Sequence, residues 1–186
     1  MKDLINKIGL IFSISAVDYQ RDNLAFVTVD KANAIDMLTH LKNIEGFSHL
    51  VLISCVDWIE DDKFQLTYFL NNPVKKIDLA VRTMISRENA EMVSCHNLWK
   101  HVETYQRELR EMYGINFPGS PGVNDNFILE GWDQIPPMRR DFDTMKYSEE
   151  TFVFRDGRAT NDPAKYMKEK LYKNSPLNAQ ATEDEK

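Results

Sequence analysis

A short charged sequence in the last third of the chain carries residue types that recognise carboxylates. Arg139, Arg140 and Asp141 follow two residues after the dipeptide Pro136-Pro137, and the prolines stiffen the backbone that leads to them. A guanidinium is a planar fork of donors that binds a carboxylate through two parallel hydrogen bonds. The pattern indicates charge pairing at an interface, and it is equally compatible with a cluster of charges on the surface.

A second set of charges lies on a predicted helix upstream of this sequence. Glu103–Arg107 and Arg107–Glu111 are opposite charges at i,i+4, a spacing that stabilises a helix by about 0.2–0.5 kcal/mol per pair. Charges that alternate in sign pair with one another, so they favour a solvated or docking face over general acid–base catalysis. We expect Arg107, Glu108 and Glu111 to organise the start of the segment that follows.

The sequence predicts no catalytic, cofactor-binding or metal-binding residues. His96 and His101 are five residues apart, whereas two metal ligands on one helix face are spaced i,i+4. Cys55 and Cys95 lie in apolar runs, which is typical of buried free thiols in a reducing compartment. Residues 119–122 (GSPG) contain neither the serine motif G-x-S-x-G nor the lysine of a phosphate-binding loop.

Composition and charge indicate a folded protein of ordinary type. The chain has 186 residues, 42% of them hydrophobic, and a net charge of −6. The length favours one domain, and the negative charge argues against a nucleic-acid partner. The N-terminus does not resemble a signal peptide, and there is no run of about 18 apolar residues that could span a membrane. We expect a cytoplasmic protein that could reach a membrane through its partners.

Hydrophobic periodicity predicts alternating helices and strands up to Gly114, which is expected to end the last long helix. Two strands joined by a short polar loop are expected to form a hairpin. The predicted elements are a helix at 3–12, a strand at 24–30, a helix near 34–44, hairpin strands at 49–59 and 64–70, a strand at 76–84, a short strand at 91–95 and a helix from 97 to 114.

After Gly114 the regular hydrophobic pattern fades and prolines and glycines become frequent. This change predicts a division of the chain into 1–114, 115–173 and 174–186. The first part is the core domain, the second an extended docking arm that includes a short helix at 163–173, and the third a mobile acidic tail. Long segments without regular structure are uncommon unless functional or disordered. The aromatic residues in this segment argue against disorder, and they need the body of the domain or another subunit to bury them.

Several motifs resemble those of the 30 kDa (C-type) subunit of complex I. That family shows a helix end E-R-E-x-x-D-[LM]-[FY]-G-I-x-F, which residues 106–117 (QRELREMYGINF) match closely. Further similarities follow in the family's order. They are CVDW at 55–58, FQLTYFL at 64–70, NLW at 97–99, GSP at 119–121, EGW at 130–132 and PMRRDF at 137–142, so that the resemblance covers residues 20–143.

The chain departs from the family pattern at three places. Gln106 stands where the family has its first glutamate, Ser120 where it has a histidine, and Asn124-Asp125 where it has an arginine pair. These differences weaken the assignment to an ordinary NADH:quinone oxidoreductase and favour related complexes that share this type of subunit. They include F420H2 dehydrogenases, ferredoxin-dependent forms and membrane-bound energy-converting hydrogenases.

The resemblance implies an α+β fold, a two-layer domain in which helices pack on a mixed β-sheet and an extended C-terminal docking segment follows. It implies a scaffold subunit without a cofactor of its own, in the hydrophilic arm of a membrane-bound oxidoreductase. Iron–sulfur clusters, and flavin where present, would belong to partner subunits. The implied partners are a large hydrogenase-like (D-type) subunit and iron–sulfur (B- and I-type) subunits, on the inner face of the cell membrane.

From this we expect an interface formed by the charged helix and the segment after it. The electron donor and the pumped ion stay open, because their chemistry belongs to other chains. The rival interpretation is a stand-alone enzyme with an unrecognised site, or a stand-alone α+β domain that binds a small ligand. The expected interface residues are Arg107, Glu108, Glu111, Phe127, Trp132, Arg139, Arg140, Asp141 and Phe142.

Overall fold

The computed structural model of the chain describes residues 1–152, which divide into two compact units. The first unit is Met1–Asp141 and the second begins at Phe142. In chain order the elements of the first unit are α1 (Lys2–Gly9), β1 (Ile14–Arg21), β2 (Leu24–Val29), α2 (Lys31–Asn43), β3 (His49–Trp58), β4 (Lys63–Asn72), β5 (Ile77–Ser86) and α3 (Val102–Tyr113).

The five strands of the first unit form one mixed sheet in the order β1-β2-β5-β4-β3. Strands β2 and β5 are parallel, and the other neighbouring pairs are antiparallel. The predicted α+β class with a mixed sheet is therefore confirmed. Strands β1 and β3 are the two edges, and β3 is the edge beside α3.

The core lies on one face of this sheet, where helices cover it. Along β4 the side chains alternate, with Phe64 and Leu66 entirely buried and Gln65 between them partly exposed. This period of two is the one expected of a strand with a single covered face. The apolar side of α2 adds Ala34, Met37, Leu38 and Leu41, all entirely buried.

The predicted hairpin is confirmed as β3 and β4, but the sequence patterns do not predict β1. A short 3₁₀ turn at Ile59–Asp61 joins the hairpin strands, and Asp62 closes it with a left-handed φ of 53°. All residues of β1 after Ile14 are exposed. An edge strand without a buried face has no apolar alternation by which it could be recognised.

The helix predicted from residue 97 begins later, at Val102. Residues 97–101 instead form successive turns, and the amide of Leu98 donates to the carbonyl of Cys95 at 2.9 Å. The indole of Trp99 donates to the carbonyl of Ser48 at 2.9 Å. This tertiary contact holds the residues before the helix in turns rather than in a helical turn. Gly114 ends α3 with a left-handed φ of 78°, as predicted.

Other predicted elements differ in smaller ways. The first helix ends at Gly9 rather than residue 12, and Leu10 is 89% exposed. The short strand expected at 91–95 is reduced to an isolated bridge between Glu91 and Asn116. The helix expected at 163–173 and the acidic tail lie outside the described residues. No helix within residues 1–152 is long and apolar enough to cross a membrane.

The second unit is described only as far as residue 152. It contains α4 (Thr144–Thr151), which the sequence patterns do not predict. The carboxylate of Asp143 accepts a hydrogen bond from the amide of Lys146 at 3.0 Å and so caps the helix start.

Candidate interaction surface

The carboxylate of Glu111, in the last turn of α3, holds the following segment through three backbone amides. Its Oε2 accepts from the amide of Phe127 at 2.6 Å. Its Oε1 accepts from the amides of Ile128 and Leu129 at 2.9 and 3.0 Å. Successive N–H groups that point at one anion form a backbone nest. We call Glu111 with residues 127–129 the amide clasp.

Electrostatics keep this carboxylate ionised. Burial raises the pKa of Glu111, but the three amide hydrogen bonds and the positive charge of Arg107 outweigh it, so the pKa lies below its usual range. The guanidinium of Arg107 lies over the ring of Phe127, 5.5 Å from the centroid, a cation–π contact. Helix α3 therefore binds the segment by both charge and stacking.

The segment also contacts the end of α3 directly. The amide of Met138 donates to the carbonyl of Met112 at 3.0 Å. A Cβ at Gly114 would lie 3.3 Å from Cγ of Pro136, which is tight, and the left-handed φ of Gly114 already disfavours a side chain there. Glycine at this position lets the returning chain pass close to the helix end.

Asp57, near the end of β3, is the centre of a second attachment. Arg87 binds it with two donors, Nε to Oδ1 at 2.7 Å and Nη2 to Oδ2 at 3.1 Å. The backbone amide of Arg140 donates to the same Oδ2 at 2.9 Å. The side chains of Asp57 and Arg87 are only 2% and 9% exposed. We call Asp57, Arg87 and the amide of Arg140 the aspartate clamp.

The charged residues beside the clamp pair with carboxylates of the same unit. Arg140 Nη1 donates to both oxygens of Glu60 at 2.7 and 2.6 Å. Arg87 Nη2 donates to Asp141 at 2.8 Å, and Arg139 Nε donates to the same oxygen at 3.3 Å. The Arg140–Glu60 pair is exposed and contributes little to stability. The clamp itself is buried and therefore fixes where residues 139–141 lie.

The clamp shifts the titration of both its charged side chains. Burial raises the pKa of Asp57, but the hydrogen bonds from Arg87 and from the amide of Arg140 lower it by more. The pKa of Asp57 therefore lies below the ordinary range. The hydrogen bond to Asp57 raises the pKa of Arg87. The pair is therefore charged at neutral pH.

We expect this depressed pKa to make stability fall in acid. The clamp stabilises the folded state fully above the ordinary aspartate pKa of about 3.9, and the contribution is lost as the pH drops through the lower folded value. The measurement is the free energy of unfolding in urea between pH 7 and pH 2. The Asp57→Asn variant is expected to have a shallower slope at the acid end. Parallel curves for the variant and the wild type would contradict the assignment.

The expected interface residues are spread over several parts of the structure, and Arg139, Arg140 and Asp141 lie beside the clamp. Arg107 and Glu111 contact residues 127–129, whereas Glu108 faces a cleft between α3 and β3. Trp132 is partly buried, and its indole donates to the carbonyl of Ile135 at 3.1 Å. Phe142 belongs to the second unit, where its ring lies 5.6 Å from that of Tyr147. Their binding to a partner stays a prediction.

Sequence reasoning missed Asp57 and Arg87, although one signal was present. Asp57 lies in the same two-residue phase as Ile53 and Cys55, which face the core. A carboxylate in that phase is buried and needs a cationic partner. The identity of the partner could not be read from the sequence, because Arg87 is 30 positions away.

The remaining candidate chemistry concerns thiols and metal ligands. Cys55 and Cys95 are buried and free, as predicted. Burial raises the pKa of each thiol to about 12, so both are protonated at neutral pH. Within residues 1–152, no three His, Cys, Asp or Glu side chains are placed to hold a metal ion.

Comparison with known families agrees with the fold just described. The family described as the respiratory-chain NADH dehydrogenase 30 kDa subunit matches residues 27–148, which include the clamp and the clasp. The match covers well over half of the chain. The chain therefore belongs to this family.

Individual relatives are named as components of several complexes. The C subunit of the NADH-quinone oxidoreductase of Moorella thermoacetica is 28% identical, over 57% of this chain and 71% of the relative. The C/D 2 subunit of the NADH-quinone oxidoreductase of Aquifex aeolicus is 30% identical, over 57% of this chain and 18% of that longer protein. The C subunit of the F(420)H(2) dehydrogenase of Methanosarcina mazei is 26% identical, over 62% of this chain and 73% of the relative.

A solved structure has the same fold. A chain of the membrane-bound sulfane sulfur reductase, an archaeal respiratory membrane complex, superposes with a TM-score of 0.78. The similarity covers 87% of this chain and 96% of the other at 22% identity.

Proposed function

We propose that this chain is a non-catalytic scaffold subunit in the hydrophilic arm of a membrane-bound complex I-type oxidoreductase. The complex would couple electron transfer to quinone with ion translocation. The observation that supports this most is the family match across residues 27–148. It includes the segment 115–141, whose backbone is fixed by Glu111 and Asp57 while much of its outer surface stays exposed.

The proposed partners are the D-type subunit and the iron–sulfur B- and I-type subunits. The Aquifex aeolicus relative is named as a C/D protein, and joining two subunits in one chain suits proteins that are neighbours in an assembly. Iron–sulfur clusters, and flavin where present, would belong to partners rather than to this chain. The chain would lie on the cytoplasmic side of the cell membrane, held there by those partners.

The segment would act as a preshaped docking surface. The clamp and the clasp order its backbone before binding, so less conformational entropy is lost when a partner binds. Arg107, Phe127 and Trp132 would contribute to the contact from the clasp side, and Glu108 from the cleft between α3 and β3. Arg139, Arg140 and Asp141 would contribute from the clamp side, and Phe142 from the second unit.

A second candidate is the equivalent subunit of a complex with another electron donor, such as F420H2 or ferredoxin, or of an energy-converting hydrogenase. The 26% identity to the F(420)H(2) dehydrogenase relative supports this second candidate. The charge changes at Asn124 and Asp125 also fall on the outer side of the segment, where both residues are exposed.

Purification of the tagged chain from native membranes in mild detergent, with the co-purifying subunits identified by mass, tests this function. The proposal expects hydrogenase-like large subunits and iron–sulfur subunits in fixed ratio. A co-purifying NADH-oxidising flavoprotein would distinguish the NADH-dependent complex from the second candidate. Recovery of the chain alone would contradict both.

A further inference from the structure

An apolar cleft of about 500 Å³ separates the edge strand β3 from α3. Ile53, Cys55 and Leu109 line it and are buried in the core. Its rim includes Ile128 and Met138 from the segment after α3, which are 65% and 56% exposed. Exposed apolar side chains beside a concave apolar surface are typical of a binding site rather than of a solvated surface.

Two tyrosines of α3 bind carbonyl groups on the outer edge of β3 in this cleft. Tyr105 donates its hydroxyl hydrogen to the carbonyl of Val51 at 2.9 Å, and Tyr113 donates to the carbonyl of Cys55 at 3.2 Å. The Cys55 carbonyl therefore faces away from β4. In an antiparallel ladder the backbone direction repeats every second residue, so the amide and carbonyl of Ile53 also face away from β4, between the two tyrosines.

The backbone of Ile53 is thus an unused pairing site. Among the described residues, no loop amide or carbonyl and no side chain is bonded to it on that side. Ile53 is only 6% exposed, and backbone groups so placed are almost always hydrogen-bonded in native proteins. An extended chain that entered the cleft would provide one donor and one acceptor at this point, as in strand addition.

The cleft also carries one negative charge. Glu108 is its one charged lining residue, and no ion pair to it is formed within residues 1–152. The other acidic residues of α3 differ in this respect, since Glu111 is held by the amide clasp and Glu103 lies 3.7 Å from His96. A partly buried, unpaired carboxylate beside an apolar surface favours a ligand that brings a cation.

We propose that this cleft receives an extended segment of a partner subunit that carries an apolar side chain with a lysine or arginine within two residues of it. The apolar side chain fills the cleft, its peptide group pairs with Ile53, and the cation pairs with Glu108. The inference rests on the proposed function, because the bound segment would come from one of the partner subunits proposed there.

The first test introduces charge at the rim in the complete complex. Ile128→Asp and Met138→Asp are expected to reduce recovery of the partner subunits in mild detergent about tenfold, since anchors in apolar pockets dominate interface energies. Val74→Asp is the matched control, because Val74 is 88% exposed in the turn between β4 and β5. The unfolding midpoints of the isolated variants should stay close to that of the wild type, because both side chains are exposed.

The second test identifies the bound segment. A photoreactive amino acid at Met138 is cross-linked in the purified complex, and the attached peptide is sequenced by mass spectrometry. The proposal expects an apolar residue with Lys or Arg within two positions. Glu108→Lys should lower assembly, and Glu replacing that basic residue of the partner should restore it.

The outcomes separate this inference from the proposed function. If the wild type recovers its partners and both rim variants do so equally well, the cleft is not the docking site and the scaffold function stands. A cross-linked peptide without a basic residue also overturns the inference. If the wild-type chain recovers no partner, both the cleft proposal and the scaffold function are overturned.

Discussion

Replacing Arg87 with alanine is expected to lower the free energy of unfolding of the first unit by about 3–5 kcal/mol. The variant leaves the carboxylate of Asp57, whose side chain is 2% exposed, without the cation that is hydrogen-bonded to it. Three side-chain hydrogen bonds are lost with it, two to Asp57 and one to Asp141. The remaining donor is the amide of Arg140, which cannot neutralise the charge. Urea unfolding at pH 7, followed by tryptophan fluorescence, measures the loss.

Two further variants separate the buried pair from ordinary surface charge. Glu60→Gln removes the ion pair with Arg140, whose partners are 61% and 51% exposed, and should change stability little because water screens such pairs. In Arg87→Ala/Asp57→Ala no buried charge is left unpaired, so its cost should be smaller than the sum of the two single losses. A loss below about 1 kcal/mol for Arg87→Ala, the level of a surface pair, would contradict the aspartate clamp.

Replacing Glu111 with glutamine is expected to loosen the segment 115–141 without unfolding the sheet. The amide group keeps one oxygen, but its NH₂ group then faces backbone N–H donors that have lost their acceptor. Hydrogen bonds to charged groups contribute about 1.5–3 kcal/mol each. A loss of about 2 kcal/mol in the local opening free energy corresponds to roughly thirtyfold faster cleavage of the opened segment.

Limited digestion with chymotrypsin measures this effect, because Phe127 and Trp132 lie within the segment. The cleavage rate after these residues should rise in Glu111→Gln, while cleavage within β3–β5 stays at the wild-type rate. Glu103→Gln is the control, since Glu103 is on the same helix and its side chain is 50% exposed. Equal digestion of Glu111→Gln and Glu103→Gln would mean that the amide clasp does not hold the segment.

Local patterns were enough to predict the elements whose signals are carried by neighbouring residues. The hairpin of β3 and β4 follows from two branched and aromatic runs around a polar turn, and the end of α3 follows from Gly114. For Glu111 the sequence predicted only that it would help to organise the segment after α3. Nothing in the spacing identified three backbone amides as its partners.

Features that depend on distant contacts could not be predicted in this way. Asp57 and Arg140 are 83 positions apart, and Arg87 and Asp141 are 54 apart. Strand β1 forms because β2 offers an edge to pair with, not because its own residues alternate. The start of α3 is displaced to Val102 because the indole of Trp99 binds the carbonyl of Ser48. In each case tertiary contacts override the local pattern.

Amide hydrogen exchange tests most directly whether this chain binds partner subunits through a surface that its own fold has already ordered. The exchange rates are compared between the isolated chain and the complex purified from membranes. Amides 127–129 should be protected in both states, because the clasp forms within the chain. Peptides across residues 119–141, and across β3 at the cleft, should exchange about tenfold more slowly in the complex. Equal exchange of these peptides in the two states would contradict the proposed docking role of the surface.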